Sequence, residues 1–467
     1  TLSLPRHSVI SDGIAQLNEV DALLITGPAG CGKSVIAAKI YDALTNGGLA
    51  LAFRADTLAT PHLATSAAHV GLQLRSLQRV FALHPRKVLW VESGERLLEK
   101  EAHERAAFGD LLQLLSRERG WKIVITCRDH TADKLRSTFI ESKDIRSGVL
   151  TVPLLADSEL DAAVTELSAL RVPLRVPALR ELLRNPFYLK LAAQMSWTED
   201  APLTVTHRAF RKKAWDEVVC RTAEGTAGHA MERNRAMVEV ALLRARALTP
   251  YVATDGLPAS AVEALCRDAL LASDPNDPTA RVAPAHDLYE DWGLLQWVSR
   301  QIEQFGNVTA EFFERLGTWP AMRRCFRLWL IEQLDGSFAD AQEHVFAVMN
   351  NASLPAHWRE EVLVAVLQSV SAPALLNQLA ARLVGDRELL RRTVHLLRVS
   401  CRSLPDGGAD QSALEPNALV PSGCAWDVMP GIILKARQGL LVTDLFWLLT
   451  FLEDWARGAS AQPDRAR

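Results

Sequence analysis

Residues Gly27-Pro28-Ala29-Gly30-Cys31-Gly32-Lys33-Ser34 spell a complete GxxxxGKS, placed between an apolar run at Ala22 to Thr26 and a helical pattern at Val35 to Thr45. A strand, a glycine-rich turn and a helix in that order constrain the chain more than any other feature. They commit its first part to a parallel sheet covered by helices. The glycines let the backbone curl so that successive N–H groups point at phosphate oxygens, and the helix N-terminus adds its dipole. In that arrangement Lys33 reaches the β- and γ-phosphates of a nucleotide and Ser34 holds Mg²⁺. Gly27, Pro28, Ala29, Gly30, Cys31, Gly32 and Val35 line the rest of the cradle. Cys31 reads as a small residue at a variable loop position, with a reactive thiol as the weaker alternative.

Three further apolar runs, Leu49 to Phe53, Val88 to Val91 and Ile123 to Thr126, complete the βα alternation. Each is apolar on both sides of the pleat, as a strand buried on two faces must be. Helices are expected over Val35 to Thr45, stopped by Asn46-Gly47-Gly48, and over Glu101 to Arg119, stopped by Gly120. The third run ends in Glu92, a carboxylate at a strand tip placed to bind Mg²⁺ through its water shell. Asp is usual there, and the extra methylene moves the carboxylate by about 1.5 Å. Glu95 is a candidate to orient the attacking water, or a surface charge opening a short helix. The fourth run ends Thr126-Cys127-Arg128-Asp129, where Thr126 can orient water and Arg128 can sense phosphate charge. Arg54 and Asp56 end the second run at the same sheet edge and are weaker candidates.

After Val152 the pattern turns helical. Helices are expected over Ser158 to Leu170, Pro177 to Arg184, Pro186 to Ala193 and a basic segment at Arg208 to Val219. A helix–turn–strand–helix pattern, with the polar turn Ser273 to Pro278 and the run Ala280 to Val282, then suggests a winged helix. From Phe312 onward amphipathic helices follow one another, among them Ala321 to Gln333, His357 to Val370, Pro373 to Leu383 and Arg387 to Val399, in the manner of an α-solenoid. Tryptophans concentrate in this part as candidate packing anchors. The expected organisation is a P-loop domain at 1–150, a helical domain at 151–229, a winged helix at 230–305 and helical repeats at 306–467.

Composition narrows the function classes. With 48% hydrophobic and 23% charged residues the chain is globular rather than disordered. Its 52 basic and 55 acidic residues leave a net charge of -3, so no overall field draws it onto nucleic acid or an anionic membrane. Seven cysteines without CxxC spacing argue against a zinc site or disulfide scaffold and for a reducing compartment, hence the cytoplasm. The most membrane-like stretch, Gly439 to Leu452, is too short to span and carries Asp444. The chain begins at Thr1 rather than Met, so the expectation is a longer natural protein.

Taken in series, the motifs resemble those of the STAND ATPases, which include the NACHT and NB-ARC (NLR-like) groups and large prokaryotic antiviral ATPases. The carriers are Leu4-Pro5-Arg6-His7, GPAGCGKS, the strand end Trp90-Val91-Glu92-Ser93-Gly94-Glu95-Arg96, and Ile125-Thr126-Cys127-Arg128-Asp129. They continue in Leu182-Leu183-Arg184-Asn185-Pro186-Phe187-Tyr188-Leu189 and Ala285-His286-Asp287-Leu288-Tyr289-Glu290-Asp291-Trp292, so the likeness spans about 1–299. The resemblance implies that Arg6 contacts nucleotide, that Pro186 packs near adenine, and that His286 touches the β-phosphate of ADP. The residues alone allow a plainer account, with Pro186 at its favoured helix N1 position and His286 as a capping or packed histidine. Glu92 departs from the family's Asp, and no second acid follows it directly, which argues for slow hydrolysis.

The resemblance further implies a switch. ADP would hold the modules closed through Lys33, Pro186 and His286, and ATP would favour an open, self-associating form through Arg128 and Lys33. A protein trigger would be bound by the helical repeats or a sensor beyond them, with any effector ahead of Thr1. Two other classes stay open at this point. One is a DNA-binding, origin-recognition-like or transcriptional ATPase that uses the winged helix, with Arg208, Arg211, Lys212 and Lys213 as its basic cluster. The other is a scaffold with structural nucleotide.

Overall fold

The computed structural model describes residues 6–461 apart from 46–47, 70, 72, 74–80, 82, 99, 119, 199–205, 224–226, 248, 275–276 and 404–419. Leu4-Pro5, the Asn46-Gly47 stop, Arg119 and the Pro275-Asn276 centre of the polar turn therefore lie outside the described residues. The chain forms two compact units, one of residues 1–240 with 247–289 and the other of residues 241–246 with 290–467.

The first unit is built on a five-stranded parallel sheet of β1 (Ala22–Thr26), β2 (Leu49–Arg54), β3 (Lys87–Glu92), β4 (Trp121–Thr126) and β5 (Ser147–Thr151). Its order is β2-β3-β4-β1-β5. Alternation along the strands feeds two cores. Ala22, Leu24, Leu89, Ile123 and Ile125 pack with Phe108, Leu111 and Leu112 on one face. Leu23, Ile25 and Val124 pack with Leu17, Ile36 and Ile40 on the other. All of β1 is buried, which explains its unbroken apolar sequence. The helix expected over Glu101 to Arg119 is shorter, Ala106–Ser116, with turns before it. The fifth strand has no counterpart among the apolar runs read from the sequence. Its Ser147 and Gly148 dilute the signal, and as an edge strand only Leu150 is fully buried.

After the sheet come helices at Asp157–Glu166, Pro177–Leu183, Pro186–Ala192 and His207–Ala214. Helices Ala227–Ala247 and Ala259–Arg267 then accompany a three-stranded antiparallel sheet, β6 (Val252–Ala253), β7 (Leu271–Asp274) and β8 (Asp277–Pro284), ordered β6-β8-β7. Helix Asp287–Phe305 follows.

In the second unit helix Pro320–Gly336 packs on Phe338–Asn350 and on Ala356–Gln368. The latter packs in turn on Ala372–Gly385 and Arg387–Ser400. Aromatic rings fill the crossings: Trp358 lies 4.6 Å from Phe313 and 5.4 Å from Phe326, and Trp426 stacks on Phe451 at 5.5 Å. The apolar stretch from Gly439 is a turn leading into helix Leu445–Ala461. Asp444 is buried and caps that turn, accepting hydrogen bonds from Leu441 N–H and Trp447 Nε1–H. Among the described residues no helix is long and apolar enough to cross a membrane.

Candidate nucleotide site

Parallel order places every strand tip of interest at the carboxyl end of the sheet, and with helices packed on both faces that end is where an open α/β sheet takes a ligand. Gly27, Gly30 and Gly32 have φ of 146, 82 and 98°, and helix Lys33–Leu44 begins directly after them. The first N–H groups of that helix have no partner within it, which aims them at an anion. The Lys33 ammonium folds over the loop, donating to Gly27 O at 2.7 Å and Pro28 O at 2.8 Å. Ser34, Val35 and Pro28 are exposed beside it. Cys31 is fully buried, and burial pushes its thiol pKa up, so the thiol stays protonated rather than nucleophilic. The loop thus combines a cation, a helix N-terminus and an open face, which fits the phosphates of a nucleotide.

Strand β4 lies between β1 and β3, so its tip stands between the loop and the acidic turn. Thr126 Oγ1 accepts a hydrogen bond from Ser93 N–H at 3.0 Å, and Thr126 O accepts one from Gly94 N–H at 2.8 Å. These bonds hold Ser93 at φ 59°, a left-handed conformation for a non-glycine residue, and thereby fix the turn between Glu92 and Glu95. The Thr126 hydroxyl keeps its own proton to donate. Glu92 ends β3 half-buried. Glu95 lies 3.5 Å from Arg128 Nε, with side chains 12% and 20% exposed. Burial raises the Glu95 carboxyl pKa, and Arg128 opposes that shift. Its Oε2 is buried without a hydrogen-bond partner, as a base awaiting water would be.

The distant motifs meet the loop. Asn185 Nδ2 donates to Ala29 O at 2.8 Å, and Phe187 N–H points at Gly30 O at 3.2 Å. Pro186 sits between these two contacts at the first position of helix Pro186–Ala192. The Phe187 ring lies 4.4 Å from the His286 ring and 5.1 Å from Tyr289. His286 Nδ1 accepts from Leu288 N–H at 3.1 Å, so this histidine caps helix Asp287–Phe305, and its ring proton belongs on Nε2. Arg6 braces the loop from behind, donating to Cys31 O at 3.4 Å and Leu154 O at 3.3 Å and pairing with Glu159 at 3.2 Å.

Three participants were not assigned roles from sequence. Asp129 lies near Lys33 with its Oδ1 buried and without a hydrogen-bond partner, and burial raises its carboxyl pKa. It was visible only as the last letter of a motif. Arg96 donates to Asp287 at 3.1 Å and lies 3.9 Å from Asp56, joining three segments whose proximity no local pattern encodes. Asn185 reads from sequence as an ordinary residue before a proline. The basic cluster is dispersed: Arg211 is buried, Lys213 pairs with Glu217 and lies over the Trp197 ring, and Arg208 and Lys212 are exposed.

The sheet, the loop and the strand-tip acids define a P-loop NTPase. Residues 4–325 match the family described as novel STAND NTPase 1, and the chain belongs to that family. None of the curated proteins matches the chain. Among solved structures it is similar to a Walker-type ATPase of Pyrococcus abyssi, at 13% identity and TM-score 0.34, covering 62% of this chain and 96% of that one. It is also similar to a STAND protein with a tetratricopeptide repeat sensor from Pyrococcus horikoshii, at 11% identity and TM-score 0.37, covering 98% and 64%. A third is the ORC2 protein of Aeropyrum pernix in ADPNP–ADP complexes, at 15% identity and TM-score 0.28, covering 61% and 91%.

Proposed function

We propose that this STAND NTPase is a nucleotide-switched signalling ATPase, held closed by ADP at rest and self-associating with ATP when triggered. Its setting in this reading is the cytoplasm of a prokaryote, in antiviral defence, with the effector outside these residues and a protein trigger taken by the helical region or a sensor beyond it. The observation that carries the reading is the convergence on one loop. Phe187 N–H points at Gly30 O while its ring packs against His286 at 4.4 Å, so one residue joins the loop to a segment about 100 positions further along.

In this reading Lys33 leaves the loop carbonyls for the β- and γ-phosphates, and Pro186 and His286 flank the nucleotide. Mg²⁺, held by Ser34 and by Glu92 through water, would supply charge neutralisation at the phosphates. Two side chains suit an ion held largely by the nucleotide itself. Glu95 accepts the proton of the attacking water while Arg128 neutralises the γ-phosphate, and each extra charge-assisted hydrogen bond contributes about 1.5–3 kcal/mol. Two or three of them supply the ~5.5 kcal/mol that carries an equilibrium from 1:99 to 99:1. Hydrolysis then acts as a slow reset.

The test is to identify the nucleotide retained through purification and to weigh the particle by light scattering with ADP and with ATP, for wild type and His286→Ala. Retained ADP, a monomer, and a larger particle with ATP that His286→Ala reaches more readily are expected. An identical mass in both nucleotides for both proteins would overturn the switch.

A further inference from the structure

We propose that Asn185 is a positioning residue that sets the phosphate-binding loop from outside, so that the loop adopts its nucleotide-accepting form only when helix Pro186–Ala192 is docked on it. The amide is 8% exposed and uses both ends. Oδ1 accepts from Phe187 N–H at 3.0 Å and caps the helix, while Nδ2 donates to Ala29 O at 2.8 Å. A trans peptide is planar, so its C=O and following N–H point in opposite directions. Holding Ala29 C=O toward Asn185 therefore turns Gly30 N–H away from the helix, toward the side of the loop left for phosphate.

The contact also leaves no room for a side chain at Gly30. This residue occupies a freely variable place in GxxxxGKS, yet a Cβ there would lie 2.7 Å from Asn185 Oδ1, 2.8 Å from Phe187 Cβ and 3.1 Å from Leu288 Cδ1. The docked segments thus add a steric demand to the positive φ of 82°, which by itself favours glycine at this point of the loop. The clamp is anchored in turn, because Arg184 O accepts from Leu155 N–H at 2.8 Å and Arg184 Nη1 donates to Leu155 O at 3.0 Å, just beyond β5.

This inference rests on the nucleotide site of the proposed function but not on the switch. Its test compares Asn185→Ala, Asn185→Ser and Asn185→Asp in the full chain, titrated with a fluorescent N-methylanthraniloyl-ADP. Ser and Asp are good helix caps, but neither donates to Ala29 O as the amide does, since Ser is too short and Asp has no N–H. All three variants are expected to bind at least about tenfold more weakly, the loss of one buried hydrogen bond. Wild-type affinity in Ser and Asp, with loss only in Ala, would reduce Asn185 to a cap and overturn the clamp.

Should the variants misfold, hydrogen exchange of the wild-type Phe187 amide decides. Coupling is reciprocal, so ADP is expected to slow that exchange, and an unchanged rate overturns the proposal. An identical mass in both nucleotides for wild type and His286→Ala alike would sink the switch while leaving an Asn185 effect on affinity standing.

Discussion

A carboxylate buried beside a guanidinium is pulled two ways, and Glu95 shows which pull wins. Removal from water favours the neutral acid, Arg128 favours the charged one, and the net shift is upward from 4.5. If Glu95 is the base, the acid limb of kcat/KM lies above pH 4.5. Arg128→Ala, which removes the chief opposing charge, is expected to move that limb to still higher pH. A pH–rate profile that stays put or moves down refutes the coupling. Stability follows the opposite logic. A folded-state acid with a raised pKa favours folding below its unfolded value and loses that contribution as pH rises through the folded value. Glu95→Gln, which stays neutral, is therefore expected to hold or raise the neutral-pH unfolding midpoint while single-turnover hydrolysis falls by ~10²–10⁴-fold. Hydrolysis at the wild-type rate would return Glu95 to a structural ion pair.

At the scale of elements, the strands that carry chemistry were legible because burial on both faces writes a continuous apolar run, as in β1. The order β2-β3-β4-β1-β5 was not, since no residue pattern states which strand becomes whose neighbour. That order decides what Thr126 does. From sequence it is a polar tip near phosphate, whereas in the fold it accepts Ser93 N–H and pins the turn joining Glu92 to Glu95. Thr126→Val keeps the shape and strands that donor, at a cost of about 1–3 kcal/mol. The expected result is a lower unfolding midpoint and a lower kcat with little change in KM, both restored by Thr126→Ser. A Ser variant no better than Val would show that the methyl group, not the hydroxyl, is what the site needs. His286 teaches the same lesson: a motif singles it out only by resemblance to a family, while its bond to Leu288 N–H required the helix start to be seen.

Across the whole molecule, every residue assigned to the nucleotide site lies in the first compact unit, while the second is stitched by arginine–carboxylate pairs between helices. Asp291 pairs with Arg324 at 2.5 Å, Glu360 with Arg392 at 2.7 Å, and Asp454 with Arg398 at 2.7 Å and Arg402 at 2.5 Å. Glu361 is likewise shared, 7% exposed and accepting from two arginines of one helix, Arg323 at 3.0 Å and Arg327 at 3.1 Å. Helical periodicity revealed the helices but not these pairs, because a charge on an amphipathic face reads as solvent-facing until its partner helix is placed. Removing the shared carboxylate leaves two cations facing each other in a half-buried seam, and breaking a buried pair in this way costs about 3–5 kcal/mol. Arg323 is 36% exposed, which places the loss toward the lower end of that range. Glu361→Ala is therefore expected to lower the denaturant midpoint of a helical transition while ADP affinity, measured on the folded protein, stays at the wild-type value. A matching loss of affinity would mean that the second unit helps to shape the nucleotide site, and a wild-type midpoint would mean that the paired arginines find water as good a partner as Glu361.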